Sequence, residues 1–249
     1  MDDSAAPSLF FFSFHKCASV FFSRFVLKRA RGFEHVDYAG RMAVGEATPP
    51  FTFAPQGHLY GPLRLSAQGD VLDQIVLPAL DAVRRHDLRA CVMVRDPRDM
   101  IVSQFFHNRD GKPLRPVHAG AAWKEEERAA TVQLGIDRYV LEKAARFLAG
   151  YERAVQLVED RPTTHVLRYE DMVDDWNAFQ DQLQSVFDLA PESIRDLEQE
   201  SRPNAVEQPG AHKRSGGTGD HRRKLTPETV EALTERFRPF LEKFGYLPA

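Results

Sequence analysis

The stretch Leu9-Phe10-Phe11-Phe12-Ser13-Phe14-His15-Lys16-Cys17-Ala18-Ser19 decides the fold. Leu9 to Phe14 is apolar except for Ser13 and does not alternate, which is the pattern of a strand buried on both faces of a parallel sheet. The run stops at His15 and Lys16, passes through small residues, and resumes at Val20, Phe21, Phe25 and Arg29 with helical spacing. A parallel sheet delivers functional loops in this way, at the carboxyl ends of its strands. Ala90 to Val94 repeats the buried-strand pattern, and Thr164 to Arg168 repeats it more weakly. Ile101, Val102, Phe105 and Phe106 mark a helix, and Tyr139 to Val158 marks another that Gly150 threatens to break. Strand followed by helix, repeated, predicts the α/β class: a mostly parallel β-sheet flanked by helices.

Composition narrows the function. The chain has 249 residues, of which 43% are hydrophobic and 28% charged, an ordinary balance for one globular domain spanning 1–249. No repeat or linker divides it. A formal net charge of −3 excludes the broad cationic face that nucleic acid or a membrane surface requires, so any anion site is local. The two cysteines, Cys17 and Cys91, lie beside or within buried strands, which predicts no disulfide and a reducing, cytoplasmic setting. Asp2 and Asp3 stand where a secretory signal would carry positive charge, and the apolar run is too short to span a bilayer.

Local signals place the remaining elements. Asp96-Pro97 reads as a helix start with Asp96 as N-cap, Pro97 at the first position and Asp99 in the first turn, and Thr226-Pro227-Glu228 repeats the pattern before Val230 to Phe240. Gln208 to Lys224 reads as a glycine-rich basic loop. Arg109 to Glu127 reads as irregular and polar, and 111–135 as an insertion over the site.

Three basic segments, His15-Lys16, Arg95 to Ser103 and Lys213 to Lys224, are far apart in sequence and each belongs at or near a strand end. Each has an ordinary explanation alone, as a solvated charge, a salt-bridged cap or a flexible loop; together they point to one anion site. Their order and spacing, FHKCASVFF then VMVRDPRDMIVSQFFH, VLRYEDM and KRSGGTGDHRRKLT, resemble the PAPS-dependent sulfotransferases. The resemblance implies the P-loop-NTPase-like sulfotransferase fold, with PAPS as cosubstrate, PAP as product and no metal.

In the family, the loop after the first strand cradles the 5′-phosphosulfate. The resemblance gives that place to His15, Lys16, Cys17, Ala18, Ser19 and Val20, with Lys16 neutralising the leaving oxygen and Ala18 standing where many members have glycine. It gives the nucleotide 3′-phosphate to Arg95 and Ser103, and leaves Arg98 as a salt-bridging residue. Arg214, Ser215 and Gly216 match the family's loop that closes on the same phosphate over 208–224, although Ser215 replaces a lysine and His221 a tryptophan. Arg222 and Arg223 offer compensating charge. Tyr169 and Phe21 match the aromatics that flank adenine.

The acceptor must lose a proton, and the segment His58-Leu59-Tyr60-Gly61-Pro62-Leu63, set in a loop, makes His58 the expected general base, ahead of His107 and Glu46. Phe51, Phe53, Tyr60, Phe105, Phe106 and Trp123 suggest an aromatic wall for a small alcohol, phenol or amine. The alternatives are a PAP-binding protein without turnover and, more distantly, a P-loop phosphotransferase, which FHKCAS disfavours because it holds no glycine. A C-terminal dimer signal of the family is partly echoed by Arg222, Thr226, Pro227 and Glu231, leaving monomer and homodimer both open.

Overall fold

The structure is a computed structural model that describes residues 6–38, 51–65, 73–86, 88–111, 121–202, 204, 206–208 and 216–247. The chain divides into two compact units, residues 1–95 with 149–201 and residues 96–148 with 202–249.

The first unit holds one parallel sheet of five strands, β1 Leu9–Ser13, β2 Glu34–Val36, β3 His58–Arg64, β4 Arg89–Val94 and β5 His165–Arg168, in the order β2-β3-β1-β4-β5. The central strand is the phenylalanine run. Leu9, Phe10, Phe11 and Phe12 are all 0% exposed, and each buried phenylalanine contributes about 1.5–3 kcal/mol. Phe11 stacks on Phe22 with ring centroids 4.4 Å apart, and Phe10 stacks on Tyr60 at 4.7 Å. After β1 the chain turns into a short helix, α1 Ser19–Phe21, that continues as a π-helix over Phe22–Leu27. The helix α2 Asp73–Arg85 buries Ile75, Val76, Ala79, Leu80 and Val83 along one face.

The strand β3 corrects the loop expected there. Gly61 and Pro62 ordinarily interrupt strands, but they sit where the register of β1 and β3 shifts, Leu9 facing Leu59 and Ser13 facing Arg64. Gly61 has φ +148°, and a Cβ there would meet the Phe11 carbonyl oxygen at 2.7 Å. Only glycine allows the two strands to approach so closely.

The second unit is helical. Asp96 caps α3 Pro97–Asp110 by accepting from the Arg98 amide at 2.9 Å. Arg98 is 4% exposed, pairs with Asp96 at 2.6 Å and donates to the Thr234 hydroxyl at 2.9 Å, the salt-bridging role expected of it. Part of the expected irregular insertion is instead a helix, α4 Ala121–Leu134, with most of its described side chains exposed. The helix α5 Ile136–Asp160 runs through Gly150 without a break. In the first unit follow α6 Tyr169–Asp174, α7 Trp176–Val186 and α8 Pro191–Ser201; in the second, Asp220–Lys224, expected as loop, forms the short helix α9, and Thr226 caps α10 Pro227–Lys243. Among the described residues no helix is long and apolar enough to cross a membrane.

Candidate active site

The loop after β1 departs from ordinary backbone geometry. Phe14 stacks on Tyr151 at 4.3 Å and fixes the strand end. Lys16 and Ala18 then take positive φ, 61° and 52°, on either side of Cys17, whose φ is negative. Alternating left-handed positions are a backbone turn that makes an anion-binding concavity. For residues with a Cβ that conformation costs about 1–2 kcal/mol each. Cys17 is buried and donates to the Met93 carbonyl at 3.4 Å; burial pushes its thiol pKa up, against a smaller lowering by Arg95. Ser19 is buried, while His15, Lys16 and Val20 remain partly exposed.

Arg95 clasps this loop. It directly follows β4, is 5% exposed, and donates from Nη1 to the Lys16 carbonyl at 2.8 Å. Its guanidinium lies 4.1 Å from the centre of the Tyr169 ring, so one face of that ring is taken by the arginine and not open to adenine. Phe21 meets Phe22 edge-on at 5.6 Å and Phe25 at 5.9 Å, inside an aromatic cluster. His15 to Phe21, Arg95 and Tyr169 are thus brought together at the carboxyl end of the sheet.

Two further cations share that end. Val94 pairs with Arg168, and Ser13 pairs with Arg64, whose neighbour Leu65 donates its amide to the Ser13 carbonyl at 2.8 Å. Across the sheet the order is therefore Arg64, the Lys16 loop, Arg95 and Arg168. Sequence reasoning passed over both outer arginines. Arg168 was legible as the last residue of a strand, whereas Arg64 was hidden by the loop reading of Gly61-Pro62.

His58 is not part of this group. It begins β3 beside Glu34 of β2, its amide donates to the Ser8 hydroxyl at 3.1 Å, and its Nδ1 hydrogen-bonds the Gln56 carbonyl at 2.8 Å with Nε2 3.4 Å from the Glu34 carboxylate. All the strands are parallel, so His58 stands at their amino ends and Lys16 beyond their carboxyl ends. At a rise of ~3.3 Å per residue, the length of β3 alone separates them by about 20 Å. The expectation that His58 takes the acceptor's proton is corrected by this placement.

The second unit organises the glycine-rich segment. The buried Asp99 carboxylate accepts the Gly219 amide at 2.6 Å, the His221 amide at 2.8 Å and His221 Nδ1 at 2.6 Å. Gly216 and Gly219 both have positive φ, 73° and 70°. Arg223 turns back to donate to the Thr218 carbonyl at 2.9 Å and to Asp220 at 2.8 Å, so it is committed within the segment. Ser103 is half-buried on α3 and His107 follows it one turn on. Arg214, Ser215 and Glu46 lie outside the described residues, as does the Trp123 side chain.

Of the expected aromatic wall, Tyr60 and Phe105 are buried in the core, while Phe51, Phe53 and Phe106 are half-buried. Phe51, Phe53 and Tyr60 pack on Phe10 in the first unit, and Phe105 packs on Phe106 and Tyr139 in the second. Among the described residues no three His, Cys, Asp or Glu side chains gather as a metal site.

Comparison with known proteins gives this geometry a family. No curated protein sequence matches the chain. Among solved structures it is similar to mouse sulfotransferase SULT7A1 complexed with PAP, with a TM-score of 0.56 and 14% identity over 96% of this chain and 88% of that one. It is also similar to retinol dehydratase in a complex with retinol and PAP, with a TM-score of 0.50 and 14% identity over 95% of this chain and 82% of that one. At such identity the likeness is one of fold. The family model for the sulfotransferase domain matches residues 78–245, more than half of the chain, taking in Arg95, Ser103, Tyr169 and Gly216 but beginning after Lys16. On that match, the chain belongs to the sulfotransferase domain family.

Proposed function

We propose that the protein is a PAPS-dependent sulfotransferase that moves the sulfonate group of PAPS to the hydroxyl, phenol or amine of a small acceptor. The observation that carries this reading is the Lys16-Cys17-Ala18 turn, held in left-handed geometry at the carboxyl end of the sheet and clasped by Arg95 through the Lys16 carbonyl. Such a turn suits the two adjoining anionic centres of a phosphosulfate. A single family model that draws on both units supports treating 1–249 as one sulfotransferase domain.

In this reading the acceptor attacks sulfur in line, the new bond to sulfur forms as the bridging S–O bond breaks, and the electron pair stays on the phosphate oxygen of PAP. The Lys16 ammonium neutralises that oxygen as its charge develops, and the loop amides and Ser19 hold the phosphate. Arg95 supplies charge to the nucleotide side. Ser103 and Arg214, Ser215 and Gly216 are assigned to the 3′-phosphate on the family motif alone. The proton acceptor is His107 or Glu46, the remaining groups the sequence singles out.

The test is transfer from radiolabelled PAPS to a panel of alcohols, phenols and amines, with and without EDTA. Sulfonated product formed equally in both conditions is expected. Bisphosphate binding without product on any acceptor would make the chain a nucleotide-binding protein, and a strict need for magnesium would favour phosphoryl transfer.

A further inference from the structure

We infer that Asp99 and His221 are positioning residues for the nucleotide 3′-phosphate, a step that rests on the sulfotransferase reading and deepens it. The Nδ1 hydrogen bond between them holds the glycine-rich segment against α3, and the preference for a 3′-phosphorylated nucleotide depends on that bond.

The second unit carries two of the residues assigned to the 3′-phosphate, Ser103 and Gly216, on stretches of chain far apart in sequence. Asp99 connects them. It stands one turn before Ser103 on α3, and helix positions four apart share a face about 6 Å apart along the axis. Its Oδ2 accepts the Gly219 amide at 2.6 Å, while its Oδ1 accepts the His221 amide at 2.8 Å and meets His221 Nδ1 at 2.6 Å. Gly216 lies three residues before Gly219, at most about 10 Å of chain. Three of the four residues from 216 to 219 are glycine, which loses the most freedom on ordering, and Gly216 and Gly219 hold φ of 73° and 70°. Contacts that anchor such a segment from outside weigh heavily in where it rests.

His221 is committed to this contact. It is 3% exposed and Asp99 1%. A carboxylate only accepts, so Nδ1 carries the hydrogen the two share. Nε2 is buried with no hydrogen-bond partner among the described residues. The ring therefore acts on the segment through Nδ1 alone, in a bond to a charged, buried acceptor, the stronger kind. Tryptophan, which the family motif has at this position, carries no donor at the place of Nδ1, so the link belongs to this sequence and not to the motif.

The experiment measures calorimetric binding of adenosine 3′,5′-bisphosphate and of AMP to the wild type, His221→Asn and His221→Gln, with thermal unfolding of each variant alongside. Asparagine puts an amide N–H at the place of Nδ1 and nothing at Nε2; glutamine puts its amide near Nε2. His221→Gln should lose about tenfold or more in bisphosphate affinity while AMP affinity stays within about twofold, and His221→Asn should stay within about threefold of wild type for both. A second measurement needs no variant. Coupling is reciprocal, so in the wild type the amides of Gly219 and His221 should exchange hydrogen more slowly with saturating bisphosphate than with saturating AMP. Unchanged bisphosphate affinity in His221→Gln, an equal loss for both nucleotides, a His221→Asn variant as weak as His221→Gln, or equal exchange with either nucleotide would overturn the inference. A wild type that binds the two nucleotides equally would instead sink the sulfotransferase reading beneath it.

Discussion

The two ends of the parallel sheet carry similar residue types and use them differently. At the amino ends, charges are paired with neighbours on unstrained backbone: His58 lies beside Glu34, Arg31 bridges Asp188, and Arg89 donates to the Val186 carbonyl at 3.1 Å. At the carboxyl ends, Arg64, Lys16, Arg95 and Arg168 line up along four adjacent strands, and the loop after β1 accepts left-handed geometry at Lys16 and Ala18. Strand direction, more than residue identity, separates His58 at the amino ends from Lys16 at the carboxyl end, where a parallel sheet places its functional loops.

Paired substitutions give the largest expected break in this comparison. Lys16→Ala should lower turnover by about 10²–10³-fold, with a smaller change in bisphosphate affinity, because its interaction grows as charge develops on the leaving oxygen. His58→Ala should leave turnover within about twofold, since it breaks only contacts at the amino ends. Equal losses in steady-state assays of the two variants would erase the distinction between the ends.

A smaller effect tests the backbone that brings β3 to β1. Gly61→Ala should destabilise the protein by roughly 2 kcal/mol or more in urea unfolding, since φ +148° and the Phe11 carbonyl both oppose a Cβ. An unchanged unfolding midpoint would mean that the strands do not approach closely there. The smallest effect, of opposite sign, belongs to the transfer loop. Ala18→Gly should relieve about 1 kcal/mol of left-handed strain, offset in part by the greater freedom of glycine when unfolded. A net gain of a few tenths of a kcal/mol in the same assay is expected, and a clear loss would argue that the loop is unstrained.

The sequence made the doubly buried elements legible and hid those governed by tertiary detail. β1 and β4 announce themselves because both faces are buried, and Asp96 and Thr226 announce helix starts through their own side chains. β2 is only three residues long, with Glu34 exposed, and β3 contains the Gly61-Pro62 pair that only its register shift accommodates. α4 is polar on most sides, so no apolar stripe marks it, although its Ala, Glu and Leu content favours helix. α9 has no apolar residue at all; Asp99, more than a hundred positions earlier, captures the amides of Gly219 and His221 at its start. The same logic explains the site. Lys16 and Arg95 follow strands that the pattern reveals, whereas Arg64 ends the strand that glycine and proline disguise, and His58, read as a loop residue, begins it.

Whether a PAPS-type nucleotide is held at the carboxyl end of the sheet is decided by calorimetric titration with adenosine 3′,5′-bisphosphate and with AMP. The wild type should bind the bisphosphate far more tightly than AMP, and Arg95→Ala should remove about 2–4 kcal/mol of the bisphosphate affinity, the usual loss when one partner of a desolvated charged contact is truncated. Equal affinities for the two nucleotides, or an Arg95→Ala variant that binds the bisphosphate as tightly as wild type, would contradict that placement.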